Sequence, residues 1–286
     1  MTIKVKKRII AIFVIAVIFF VSVGKAIVNP EVIALSDSSN GFNIIMYHHI
    51  TEDKEKIGDY VISTEQLEED LKYLRDSGYK TLLMRDLYSI DKGEKKLPEK
   101  AIMLTFDDGQ ESFYKYVFPL LKKYNFSAVL SVIGKYTEQF SNINDHNILY
   151  SHVTWDQINE MVQSGIVEIG NHSYDMHNNN GVGRSGVTIN SGENINDYKK
   201  AINGDINTFN SLFEKNLGFA PSFYTYPFGR FSKETENILK ERGYMAALTC
   251  HEIKNVPHSS RDWLFRLGRY NRSGKINTSE FFKKLA

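Results

Sequence analysis

One cysteine, Cys250, stands in a chain of 286 residues. That scarcity excludes an intrachain disulfide framework and any cysteine-rich zinc module, so a bound metal must be held by histidine and carboxylate. Neither sign of charge is in excess: 35 Lys and Arg against 34 Asp and Glu leave a formal charge of +1. With no basic surplus to neutralise a phosphate backbone, nucleic acid is not an expected partner. No internal repeat and no low-complexity tail interrupts the chain. What it does contain is 42% hydrophobic and 24% charged residues, a balance that excludes wholesale disorder. The length suits one large domain or two small ones, with ample material for a core.

The one long apolar run lies at the N-terminus. Lys4, Lys6, Lys7 and Arg8 precede an uncharged stretch from Ile9 to Gly24, the pattern of a basic n-region followed by a hydrophobic segment. The run is slightly short against the ~20 residues of a membrane span and slightly long against the ~7–15 of a signal core. Residues 1–30 are therefore expected to be either a cleaved signal or an uncleaved membrane anchor. The basic side should remain cytoplasmic, placing the rest outside the cell or its membrane. Residues 31–42, with Asn29-Pro30 before them and Ser36-Asp37-Ser38-Ser39-Asn40-Gly41 inside them, read as a linker.

From Asn43 onward, short apolar runs alternate with amphipathic stretches. Strands are predicted at 43–47, 79–83, 101–106, 127–133, 166–170, 222–226 and 244–248. Helices are predicted at 63–77, 111–124, 154–164, roughly 195–215 and 232–242. Ser63-x-x-Gln66 and Thr154-x-x-Gln157 are capping-box patterns. Alternation over about 220 residues argues for a parallel α/β architecture, open or closed into a barrel, occupying 43–286 as one domain.

Chemistry-bearing residues cluster where predicted strands end, the place where α/β folds assemble their sites. Thr105-Phe106-Asp107-Asp108-Gly109 follows the apolar strand 101–104. Two adjacent carboxylates leaving a buried strand are costly without a positive partner. A metal would take one and leave the other free as a general base, although an Asp-capped turn would also use Asp-Gly. After the strand at 166–170 comes Asn171-His172-Ser173-Tyr174-Asp175-Met176-His177. Histidines five apart do not share a helix face, so they converge only from a strand end and a turn. Two imidazoles and a carboxylate suit zinc or another divalent first-row metal. Met46-Tyr47-His48-His49 offers an imidazole to protonate a leaving group. Tyr226-Pro227-Phe228-Gly229 is placed to wall a sugar groove with aromatic rings.

Taken together these segments resemble the polysaccharide deacetylase (NodB-homology, carbohydrate esterase) family. The resemblance covers roughly residues 43–270 and implies a distorted (β/α) barrel of the polysaccharide deacetylase type. It implies Asp107 as catalytic base and Asp108, His172 and His177 as ligands of one divalent metal, Zn2+ first, with Ni, Co, Fe or Mn as alternatives. The five-residue histidine spacing is similar to the branch of biofilm poly-N-acetylglucosamine deacetylases. That branch carries its catalytic-acid histidine near the N-terminus after a tyrosine, which here is His48 after Tyr47. The rival is His251, in Leu248-Thr249-Cys250-His251, which loosely resembles the usual C-terminal leucine–histidine motif. Tyr226, Pro227 and Phe228 correspond to the third motif, with a substrate-binding or oxyanion role. The arginine that usually opens that motif is replaced by Thr225, so Arg266 or Arg269 is expected to orient the base instead.

The activity implied is N-deacetylation of N-acetylglucosamine units in an extracellular polysaccharide, poly-β-1,6-N-acetylglucosamine first and peptidoglycan second, by a secreted or anchored monomer. A glycosidase would set its carboxylates about 5–9.5 Å apart across the glycosidic bond, which sequence neighbours on one turn do poorly, and would leave His172 and His177 without a role. A noncatalytic carbohydrate-binding protein would use the aromatics and need no set of base, metal ligands and acid.

Overall fold

The computed structural model describes residues 41–178, 184–258 and 260–285. The export or anchor segment at 1–30 and most of the expected linker lie outside the described residues. No described helix is long and apolar enough to cross a membrane.

The centre of the molecule is an all-parallel sheet. Its strands are β1 (Asn43–Tyr47), β4 (Lys80–Thr81), β5 (Ala101–Phe106), β6 (Ala128–Val132), β7 (Val167–Asn171), β8 (Phe223–Thr225), β9 (Ala246–Leu248) and β10 (Tyr270–Asn271), with a separate small pair of β2 (His49–Thr51) and β3 (Val61–Ser63). The order is β10-β1-β5-β6-β7-β8-β9, and β4 lies beside the start of β5. Leu267 bridges Leu248 of β9, and a few residues later Tyr270 and Asn271 pair with Ile45 and Met46 of β1. One segment therefore touches both ends of the strand order and curls the sheet into the distorted barrel expected.

The strands read as continuous apolar runs because both faces are covered. Every residue of β1, β5 and β6 is buried. Alternate side chains go to two cores, as a period of two requires. Ile45, Ile102, Leu104, Phe106 and Leu130 join Leu67, Leu71, Phe209 and Phe213 in one. Ile44, Met103, Val129 and Tyr224 join Ile202, Ile238 and Leu264 in the other.

The helices are α1 (Thr64–Asp76), α2 (Met84–Asp91), α3 (Phe118–Tyr124), α4 (Gly134–Ile143), α5 (Trp155–Gln163), α6 (Ile195–Leu217), α7 (Lys233–Glu241) and α8 (Thr278–Leu285). Ser63 and Gln66 cap α1 reciprocally, as Thr154 and Gln157 cap α5. The helix expected at 111–124 is broken in two. Residues 113–117 form a wide turn in which the Phe118 N–H reaches back to the Phe113 carbonyl. Pro119, at the start of α3, has no N–H to donate and crowds the preceding turn. The strand expected at 79–83 shrinks to two residues: the Leu82 N–H still reaches the Ile102 carbonyl of β5 at 2.8 Å, but Leu83 is already the N-cap of α2. The expected linker also ends earlier than residue 42. Phe42 is buried and exchanges backbone hydrogen bonds with Asn255 at 2.8 and 2.9 Å, so it belongs to the fold.

Candidate active site

Parallel strands bring all their C-terminal ends to one rim. His48 follows β1, Asp107 and Asp108 follow β5, His172 follows β7, Tyr226 follows β8 and Cys250 lies just past β9. These residues, with His177 and Phe228, line one cavity of about 590 Å3.

Asp107 leaves β5 with its N–H bonded to the Tyr47 carbonyl at 3.0 Å. Its carboxylate meets Arg269 as a two-pronged pair, Nη1 to Oδ1 at 2.7 Å and Nη2 to Oδ2 at 2.8 Å. Arg269 is itself fixed by the Thr249 carbonyl at 2.7 Å and the Thr105 hydroxyl at 3.3 Å. Burial alone would raise the Asp107 carboxyl, but Arg269, followed by His172 and His48, outweighs burial and holds it well below the usual carboxylate range. His48 Nε2 stands 4.0 Å from Asp107 Oδ2, and His172 Nε2 stands 3.9 Å from the same oxygen.

Asp108 adopts a left-handed backbone, φ 70°, which aspartate tolerates better than most residues. The turn separates the two neighbouring carboxylates, sending Asp107 to Arg269 and Asp108 to the histidines. Gly109 continues it at φ 74°, where a Cβ would come within 2.9 Å of Val132. Asp108 Oδ1 lies 3.6 Å from His172 Nε2 and 3.9 Å from His177 Nε2. It is buried and has no hydrogen-bond partner among the described residues. Ligand atoms of Asp108, His172 and His177 all fall within 4.8 Å of one another. Ligands about 2.0–2.1 Å from a tetrahedral zinc would be roughly 3.4 Å apart, so this donor set fits a small divalent cation.

The histidines are presented correctly for that purpose. His172 Nδ1 lies 2.8 Å from the Thr225 carbonyl; a carbonyl only accepts, so Nδ1 carries the proton and Nε2 offers its lone pair. Burial pushes the imidazole down to about 4, leaving it neutral. Ser173 then turns at φ 77°, and the loop to His177 is tied to α6. Asp205 accepts the Tyr174 and Asp175 N–H groups, each at 2.8 Å.

The third-motif residues divide. The Phe228 ring faces His177 with centroids 4.3 Å apart. Tyr226 borders the cavity, but its ring is buried against Phe231 and its N–H is bonded to the Leu248 carbonyl. Pro227 is buried and does not line the cavity. Gly229 lets this turn approach closely, since a Cβ would come within 2.6 Å of Cys250 Cβ.

Arg266 does not reach the site. Its Nε is 3.1 Å from Glu236 Oε2 and its side chain is 56% exposed, because the short helical turn at 261–266 points it to the outer surface. Of the two arginines expected to orient the base, only Arg269 contacts Asp107. His251 is exposed and does not line the cavity, and His49 turns to the Ser112 hydroxyl at 3.2 Å. Sequence reasoning missed Tyr60, whose ring packs edge-on against His48 at 4.9 Å, and Asp205. Neither sits in a motif, and only a fold brings them close.

The polysaccharide deacetylase family model matches residues 94–247. The poly-beta-1,6-N-acetyl-D-glucosamine N-deacetylase of Escherichia coli K12 is 27% identical over 222 residues, covering 72% of this chain and 33% of that protein. The chain thus spans a third of that relative's length. The protein of the same name from Staphylococcus aureus MRSA252 is 26% identical over 213 residues, covering 74% of this chain and 69% of its own. A de-N-acetylase of Aggregatibacter actinomycetemcomitans shares the fold, with a TM-score of 0.72 at 24% identity over 86% of this chain and 100% of that one. The barrel, the rim and the family match agree: this chain belongs to the polysaccharide deacetylase family.

Proposed function

We propose that the chain is a metal-dependent N-deacetylase acting on N-acetylglucosamine units of an exported polysaccharide, poly-β-1,6-N-acetylglucosamine. The observation that carries the reading is Asp107, held ionised by Arg269 with His48 on one side and the Asp108–His172–His177 trio on the other. The names borne by the E. coli and S. aureus relatives support the polymer. The placement of an imidazole after β1, with His251 outside the cavity, supports the same branch.

Asp108, His172 and His177 would hold the cation, zinc in isolation. When bound it supplies Lewis-acid polarisation of the acetamide carbonyl and acidifies water. Asp107 is a weak base because Arg269 stabilises its charge, so it would depend on the acidification that the cation supplies, and its Oδ2 is the atom placed to hold the proton. Arg269 keeps both carboxylate oxygens in one orientation, leaving Oδ2 facing the cavity between His48 and His172. His48 stands on the other flank, placed to give a proton to the departing amine. Water and amide become acetate and a protonated glucosamine amine. Phe228 and Tyr226 wall the groove and limit access of bulk water. The basic–apolar segment at 1–30 would deliver the domain across the membrane.

The direct test is acetate release from β-1,6-linked N-acetylglucosamine oligomers, with and without a chelator, beside β-1,4-linked oligomers and peptidoglycan fragments. Chelator-sensitive release from the β-1,6 series is expected. Release only from peptidoglycan would replace the polymer, and release from none would overturn the activity.

A further inference from the structure

Two polar atoms in the wall of the cavity are buried and have no hydrogen-bond partner among the described residues: His48 Nδ1 and Asn271 Oδ1. The first can donate and the second only accepts. Leaving either unsatisfied is costly.

The fold brings the two side chains to one place. Asn271 of β10 is the register partner of Met46 in β1. His48 lies two positions beyond Met46, and side chains two apart along a strand share a face; both line the cavity. The dipeptide Asp59–Tyr60 touches both His48 and Asn271. The Tyr60 ring packs on His48, and the Asp59 carbonyl accepts from Asn271 Nδ2 at 2.9 Å. A carbonyl only accepts, so this bond fixes the amide with its NH2 toward Asp59 and leaves Oδ1 as the free head.

The charged and titratable groups nearby are committed elsewhere. Asp107 faces His48 Nε2 and holds Arg269, while Asp108 belongs to the trio. His49 turns to Ser112, and the Asp59 carboxylate pairs with Lys275. Glu252 also lines the cavity, but its two oxygens accept from the Asn271 N–H and from Lys284.

We infer that Asn271 is the positioning residue of the acid, its Oδ1 accepting the Nδ1–H of His48. Such bonds are often long before substrate binds and tighten in the complex. The consequence is which nitrogen gives up its proton. With Nδ1–H bonded to Asn271, the Nε2–H bond breaks as the N–H bond of the departing amine forms. A neutral imidazole protonated at Nδ1 remains. A neutral amide sets this tautomer without the strong bias toward a charged ring that a carboxylate would impose. The inference rests on the deacetylase reading above, and deepens it.

The test uses zinc-loaded protein. Asn271→Ala should lower kcat about tenfold, the size of one lost hydrogen bond, with KM and zinc content near wild type. Asn271→Asp keeps an acceptor and adds charge, so it should retain turnover and carry the alkaline limb of the pH–rate profile up by about one unit or more. Glu252→Gln should leave the profile in place. Wild-type kcat and profile in Asn271→Ala, or a profile moved by Glu252→Gln instead, overturns the role of Asn271 and leaves the deacetylase reading intact. If wild type releases no acetate, that reading falls; if the Asn271 variants melt early, their kinetics carry no weight. In both cases 15N NMR of histidine-labelled wild type decides, with His48 assigned by the signals lost in His48→Gln. Neutral His48 protonated at Nδ1, with or without glucosamine oligomer present, supports the inference. Protonation at Nε2 in both states overturns it.

Discussion

Asp107 and Arg269, 162 residues apart in the chain, meet as a parallel two-pronged ion pair in which both side chains are fully or almost fully buried. A pair of this kind stabilises little relative to apolar residues of the same shape, because desolvating both charges offsets their attraction. Its consequence lies in orientation. The guanidinium is planar and its forked donors allow the carboxylate one arrangement. The Thr225 that stands where the family usually has an arginine donates no such fork. Its hydroxyl is bonded to Ser131 at 2.6 Å, and its carbonyl sets the His172 tautomer instead.

Arg269→Ala should therefore harm both stability and turnover. Removing one partner strands a buried carboxylate, at a cost of about 3–5 kcal/mol that denaturant titration will read. The sign with pH follows from the depressed carboxyl. Its stabilisation is full above the unfolded value of 3.8 and drains away as pH falls below it. Without Arg269, burial raises the carboxyl, so the acid limb of the pH–rate profile should move to higher pH. An unmoved acid limb in a folded Arg269→Lys protein would show that the fork does not set the base.

Metal content tests the trio directly. Asp108→Ala, His172→Ala and His177→Ala should each lower bound zinc sharply by elemental analysis, and chelation of the wild type should abolish acetate release until zinc is restored. Full occupancy in His177→Ala would remove that residue from the ligand set.

His48→Ala should reduce turnover by about 100- to 10,000-fold, the usual worth of general acid–base catalysis, with zinc content near wild type. His251→Ala should be close to silent, since that side chain is exposed and faces away from the cavity. The reverse pattern would transfer the acid role to His251 and with it weaken the choice of polymer.

Asp205→Asn tests the tether behind the histidine loop. The wild-type carboxylate accepts two backbone N–H groups; an amide can accept with only one of its two heads. Zinc affinity should fall about tenfold, as for outer-shell partners of metal ligands. Burial pushes the Asp205 carboxyl up to about 6 against the opposing pull of those N–H groups. A raised carboxyl means the native state holds a proton that the unfolded chain releases, so wild-type stability should decline as pH rises from about 4 to 6. The variant has no such proton, and its melting temperature relative to wild type should improve over that window. Parallel pH profiles for the two proteins would refute the buried, raised carboxyl.

The strands and capped helices were legible because their signals are local. Ser63 and Gln66, or Thr154 and Gln157, satisfy each other's backbone within one turn, and buried parallel strands must be apolar throughout. β10 was not legible, since a two-residue strand of half-buried Tyr270 and Asn271 has no pattern to read. α4 was missed for a related reason: Gly134 begins it without a side-chain cap.

By itself the sequence determined which residues are candidates for chemistry and that they lie at strand ends, because motif spacing and hydrophobic runs are properties of neighbours along the chain. Tertiary structure decided which of these residues meet. Arg269 rather than Arg266 reaches Asp107, since two positions three residues apart on the segment that closes the barrel face opposite ways, one to the interior and one to Glu236 at the surface. It also decided that His48 is inside the cavity and His251 outside it. That distinction arises from the curl of a parallel sheet, whose closure depends on contacts between β1 and a segment more than 200 residues away, and no local pattern encodes it.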